Sequence, residues 1–171
     1  MEEVIKDTRN SSQEQRELDL LIEVIKSSKA KSIMVFAETK KVVDKICDAL
    51  RQAEIKSLPY YPDIAVQGRA MTLMLFQNGQ LPVIVCNNLA SRGLDTSNVQ
   101  HVIQFEFAKT TVDYMQRVGR VGRMGQKGGV ITNFVRPSID SEIEKIVKKQ
   151  LSSDNNWDKV LSYKTIRKRK N

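Results

Sequence analysis

The chain has a single histidine, only two cysteines and no unbroken run of eighteen apolar residues. The last of these leaves no stretch for a membrane-spanning helix, and nothing at the start reads as a secretory leader, so no passage across or into a membrane is expected. Cys47 and Cys86 lie inside apolar runs without metal-ligand spacing. They read as buried free thiols of a reducing, intracellular compartment, with nucleus or nucleolus, cytoplasm and mitochondrion left undistinguished, and no metal site is expected. His101 opens an apolar segment, where a packed ring is expected rather than a catalytic one. A strongly basic body is missing too. The formal charge is +8, but Lys164, Arg167, Lys168, Arg169 and Lys170 all fall in the last eight residues, which leaves +3 for the rest. Whole-chain charge therefore says little about a polyanionic partner. Also absent are the phosphate cradle GxxxxGK[ST] and an acidic tetrapeptide to hold magnesium.

What is present suits one globular domain: 171 residues, 40% hydrophobic and 28% charged. Residues 1–11 read as a linker or boundary, 12–151 as the domain, and 152–171 as an extension with a basic tail. Ser11 or Ser12 can cap a first helix, whose apolar stripe is Leu18, Leu21, Ile22 and Ile25. Short continuous apolar runs follow at SIMVF (32–36), VIVC (83–86), HVIQF (101–105) and GGVITNFV (128–135), the pattern of strands covered on both faces. A further strand is expected at 57–60. Helical patterns lie between them, around Val42 to Ala53, Leu73 to Phe76, TTVDYMQRV and Ile139 to Leu151. Alternation of this kind predicts an α/β fold in three layers, a mostly parallel sheet with helices on both faces, and a binding site at the carboxyl ends of the strands. Trp157 with Leu161 is expected to dock the extension, and TIRKRKN to be disordered. The tail reads as an RNA tether, a localisation signal or a solvated end.

Two runs in the middle carry the chemistry: SRGLD at 91–95 and QRVGRVGRMG at 116–125. Arg117, Arg120 and Arg123 recur every third residue, with glycines between them. Guanidinium forks of this type suit phosphate oxygens, because two parallel hydrogen bonds form at once. With fingers present and no cradle, the expected geometry is one that acts across an interface on a nucleotide held elsewhere.

At these residues the chain resembles a family. FxxT at 36–39, Arg69 seven residues before Phe76, ASRGLD at 90–95 and YMQRVGRVGRMG at 114–125 are similar, in order and spacing, to the second RecA-like domain of DEAD-box ATP-dependent RNA helicases. The resemblance spans about Ser12 to Val147 and implies a RecA-like, P-loop NTPase-like fold. It implies that Arg120 and Arg123 reach the γ-phosphate of ATP, that Asp95 contacts the ribose, and that Arg92 and Gly93 link the nucleotide to the RNA side. It further implies that Thr39, Arg69, Asn87 and Asn88 grip the RNA backbone, contacts that position a strand without reading its sequence. ATP and Mg2+ would be held mainly by an N-terminal RecA-like domain of the same protein, and this chain alone, a monomer, would be inactive. Departures are specific. Val66 stands in place of a glutamine, Tyr61 and Pro62 in place of histidine and glycine, Asn87 and Asn88 in place of threonine and aspartate, and Gln116 in place of a histidine. Gln116 is usual in DExH helicases, but RGLD is not; ASRGLD with GRVGRMG looks most like the mitochondrial, ribosome-assembly branch. A non-catalytic RNA-binding scaffold of helicase ancestry and a DNA helicase or translocase are the rival readings. For Tyr114, packing on the sheet is favoured over stacking on a base.

Overall fold

Four short runs rich in valine and isoleucine form the middle of the molecule, and the computed structural model, which describes residues 2–88, 99–121, 129–136, 139–153 and 161–167, makes each of them a strand. They are β1 (Ile33–Phe36), β3 (Val83–Cys86), β4 (His101–Gln104) and β5 (Gly129–Val135), joined by β2 (Ser57–Tyr60) and β6 (Leu161–Arg167). The sheet order is β2-β3-β1-β4-β5-β6 and all pairings are parallel. Every residue of β1, β3 and β4 is buried. Burial on both faces is why these strands read as continuous apolar runs instead of alternating ones.

Successive side chains point to opposite faces, so each strand feeds two cores. Ile33, Val35, Val83, Val85, Ile103 and Phe134 pack under helices α1 (Glu2–Ser27) and α2 (Lys40–Gln52). Met34, Phe36, Ile84, Cys86, Val102 and Ile131 pack under α3 (Val66–Gln77), α4 (Thr111–Val118) and α5 (Ser141–Ser153). On α1, Leu18, Leu21, Val24 and Ile25 are buried at helical spacing. Each such side chain contributes about 1.5–3 kcal/mol of burial free energy. On α2 the stripe is Val43, Ile46 and Leu50. Among the described residues, no helix is long and apolar enough to cross a membrane.

Two expectations fail at the ends of the chain. Helix α1 begins at Glu2, not after Ser11 or Ser12. The run 2–12 has neither proline nor glycine to stop it and opens with two glutamates, which suit a helix amino end. The last residues do not all lie outside regular structure, since Thr165–Arg167 belong to β6, which pairs with β5 along its whole length. LSYKTIR has aromatic and β-branched residues between polar ones, and Ile166 packs on the α1/α2 core. Trp157 lies outside the described residues.

Candidate functional site

Because all strands run the same way, their carboxyl ends share one rim, and the segments leaving β1, β2, β3, β4 and β5 gather there. Strand order reverses beside β1, which lies between β3 and β4, the place where open α/β sheets form a crevice. Thr39 leaves β1 on this rim and is exposed. It is the N-cap of α2: its Oγ1 accepts from the backbone N–H of Val42 at 3.3 Å. The hydroxyl proton is then left to donate, as contact with a phosphate oxygen requires. Lys40 and Lys41 follow in the first turn of α2, which has no acidic residue.

The β2–α3 connection, where Tyr61 and Pro62 replace the expected residue types, is pinned to α2. Tyr61 OH donates to Asp44 Oδ1 at 3.0 Å, and Lys40 Nζ lies 5.2 Å from the Tyr61 ring centre and 3.3 Å from Asp63. This connection leads into α3, where Arg69 is half-buried and its Nε meets no hydrogen-bond acceptor among the described residues. Val66 opens α3 and is exposed.

Asn87 and Asn88 leave β3 beside β1. Asn87 is buried, and Asn88 Oδ1 accepts from Arg117 Nε at 2.7 Å. Arg117 is the departure from the expected arginine run. It is 1% exposed and turned inward: its Nη1 donates to Gln104 Oε1 at 3.0 Å and to the carbonyl of Glu106 at 2.6 Å. Its guanidinium carbon sits 5.2 Å from the centre of the Phe36 ring. Burial pushes its pKa below the usual arginine value. The every-third spacing fails to align the arginines because α4 ends at Val118 and Gly119 is its C-cap, so Arg120 leaves from a turn. Arg120 is 7% exposed, with its Nε donating to the carbonyl of Gln116 at 3.2 Å. Arg117 and Arg120 both lie near the buried Cys86 thiol, which desolvation raises to about 12.

The described part of the site thus brings Thr39, Asn87, Asn88 and Arg120 to the strand ends, with Arg69 one helix away on α3. Arg92, Gly93, Asp95 and Arg123 lie outside the described residues. Sequence reasoning missed a ring of charge on the same rim. Glu106 accepts from the backbone N–H of Glu38 at 2.6 Å, Lys109 pairs with Glu38 at 2.6 Å, and Arg136 pairs with Asp140 at 3.3 Å. The bond to Glu38 pushes the Lys109 ammonium up. The only sequence signal for these groups was their position just after strands. Tyr114 is fully buried with its ring 5.6 Å from that of Phe107, and so packs as expected. His101 bridges Ser28 Oγ and Thr132 Oγ1, each at 2.9 Å, in the interior. Among the described residues no group of three His, Cys, Asp or Glu could hold a metal ion.

Over residues 16–125 the chain matches the helicase conserved C-terminal domain. It is 39% identical over 132 residues to the probable ATP-dependent RNA helicase DDX4 of Bos taurus, which covers 77% of this chain and 18% of that protein. It is 38% identical over 113 residues to the ATP-dependent RNA helicase dbp2 of Sclerotinia sclerotiorum, covering 66% of this chain and 20% of the relative. The chain therefore spans about a fifth of the length of the curated relatives it matches. The solved RNA helicase Prp28 of Chaetomium thermophilum bound to ADP superposes with a TM-score of 0.75 at 25% identity, over 85% of this chain and 35% of the other. With the parallel sheet and these matches, the chain belongs to the helicase conserved C-terminal domain family and, within it, to the C-terminal RecA-like domains of DEAD-box RNA helicases.

Proposed function

We propose that this chain is the half of an ATP-dependent RNA helicase that supplies arginine fingers and half of the RNA-binding surface. ATP and Mg2+ sit mainly on a separate N-terminal RecA-like domain. What supports the reading is the shared rim: Thr39, Asn87, Asn88 and Arg120 leave adjacent strand ends or the helix packed on them, and their donors suit phosphate oxygens. Bound between the domains, ATP supplies the bond whose hydrolysis drives the cycle. This chain's part is to place Arg120, with Arg123, against the γ-phosphate. Fingers of this kind accelerate turnover by roughly a thousandfold or more, about 4 kcal/mol of barrier. Thr39, Arg69 and the Asn87–Asn88 pair hold the sugar-phosphate backbone of RNA without reading bases. When the domains close, the held strand is bent and a short duplex opens locally. Two free thiols, Cys86 buried and Cys47 half-buried, suit a reducing, intracellular compartment.

In the two-domain protein, Arg120→Ala and Arg123→Ala are each expected to remove RNA-stimulated ATP turnover while RNA affinity stays within a few fold. Unchanged turnover in both variants would overturn the finger assignment. Absence of RNA-stimulated ATPase in the unmodified two-domain protein would favour a non-catalytic RNA-binding scaffold, and stimulation by DNA over RNA would favour a translocase on DNA. The 171-residue chain alone is expected to hydrolyse no ATP and to bind RNA weakly.

A further inference from the structure

Besides the His101–Thr132 pair, two polar residues are buried in β4 and β5: Gln104 at the end of β4, 0% exposed, and Asn133 in β5, 6% exposed. They are register partners on neighbouring parallel strands. Gln104 Nε2 donates to Asn133 Oδ1 at 3.0 Å, and Asn133 Nδ2 donates to Tyr114 OH at 3.4 Å. At the other end, Gln104 Oε1 accepts from Arg117 Nη1 at 3.0 Å. Tyr114 and Arg117 stand three residues apart on α4 and so share one face of it. The four side chains close a circuit from helix to strand to strand to helix.

The direction of every bond in that circuit follows from one end. A guanidinium can only donate, so the oxygen of Gln104 must face it and the amide nitrogen of Gln104 must face Asn133. Asn133 is then left with its own nitrogen toward Tyr114. Apolar contact between Tyr114 and Phe107 would hold α4 against the sheet while letting it slide or turn. Directional bonds in a dry interior remove that freedom, because a slip strands a buried donor. Among the described residues no carboxylate lies within ion-pair distance of Arg117, so its charge rests on neutral acceptors: Gln104, Asn88 and the Glu106 carbonyl. Arg120 hangs from the end of this anchored helix, its backbone N–H donating to the Arg117 carbonyl at 3.2 Å.

We propose that Gln104 and Asn133 are positioning residues for Arg120, which lock α4 onto β4 and β5 through Arg117 and Tyr114 and so fix where the finger starts. This deepens the finger reading above and rests on it. Gln104→Leu removes the acceptor at similar volume. In the two-domain protein it lowers ATP turnover at least tenfold, with KM for ATP and RNA affinity each within twofold. Gln104→Glu still accepts from Arg117, with Asn133 turned to donate to it, and keeps turnover within threefold. A readout free of activity uses the 171-residue chain. Hydrogen exchange of the backbone amides of 114–121 accelerates at least tenfold in Gln104→Leu and not in Gln104→Glu, while β1 and β3 stay protected. Unchanged exchange across α4, or equal loosening of the whole sheet, overturns the proposal. Should Gln104→Leu fail to fold, Tyr114→Phe deletes one hydroxyl from the circuit and is expected to speed α4 exchange severalfold; no change there overturns it equally. If turnover in the unmodified protein proves independent of Arg120, the finger reading fails, and the exchange experiment still decides whether the circuit holds α4.

Discussion

Arg117 shows what a residue pattern can and cannot convey. Spacing and glycines announced an anion-reading run, but Arg117 spends its donors on Gln104, Asn88 and the Glu106 carbonyl. Nothing in the string distinguishes it, because the difference arises where α4 stops at Val118 and the chain turns. The cysteines were legible in part: Cys86 closes the apolar run VIVC and is buried, whereas Cys47, flanked by Ile46 and Asp48, is only half-buried. Cys86 lies in β3 fully buried, and burial raises its thiol from the ordinary 9.0 to about 12. Burial raises Cys47 to about 12 as well, and Tyr114 from 10.0 to about 12. The sign follows from linkage: between the unfolded and folded values the unfolded chain has lost a proton that the native state keeps, so stability is full below about pH 9 and falls as pH climbs toward about 12. Urea midpoints at about pH 8 and about pH 10.5 should therefore differ, with Cys86 accounting for about 2 kcal/mol of the loss. Cys86→Val should show a smaller drop, and an identical drop would acquit the thiol.

Helix α2 carries a conflict between folding and function at its amino end. Thr39 caps it correctly, yet Lys40 and Lys41 follow in a first turn where the helix dipole favours acids. Lys40 is relieved by Asp63 and the Tyr61 ring. Lys41→Glu is expected to raise stability by about 0.3–1 kcal/mol, as an acid in a first turn does. The same change should weaken RNA binding and flatten its salt dependence, since the proposed RNA face would lose a cation. Thermal melting and RNA titration at two salt concentrations test both halves; a variant that gains stability with RNA affinity intact would remove this turn from the RNA face. The positions of β1 to β5, α2, α4 and α5 were readable because each is a run with its own period and stop signal, whereas α3 starts at Val66, ahead of the Leu73 to Phe76 pattern. The start of α1 was not, since a helix without a breaker ends wherever tertiary contacts cease to matter. Gln104 and Asn133 were visible as polar letters in apolar strands, but their partners come from α4, far away in the chain, and only the fold brings them together.

At the scale of the molecule, the alternation of strand and helix was enough to foresee the parallel sheet, with Thr39, Asn87 and Asn88 just past its carboxyl ends. It did not reveal β6, whose basic neighbours disguised a strand as a tail. Along Gly129–Val135 that strand supplies β5 with its outer partner. Ending the chain after Ser153 should thus leave an unpaired edge, seen as self-association in size-exclusion chromatography and a lower unfolding midpoint. A shortened chain that stayed monomeric and equally stable would show β6 to be dispensable. The bracketed place of β1 carries a different implication, for the birth of the protein on the ribosome. Ile33 leaves the exit tunnel before either of the neighbours that flank it, Val83 and His101. Until both have emerged, the central strand has nothing to lie against and its apolar surface stays open to chaperones. Long-range pairing of this sort slows folding, so the nascent chain is at its most vulnerable after β1 is made and before β4 arrives.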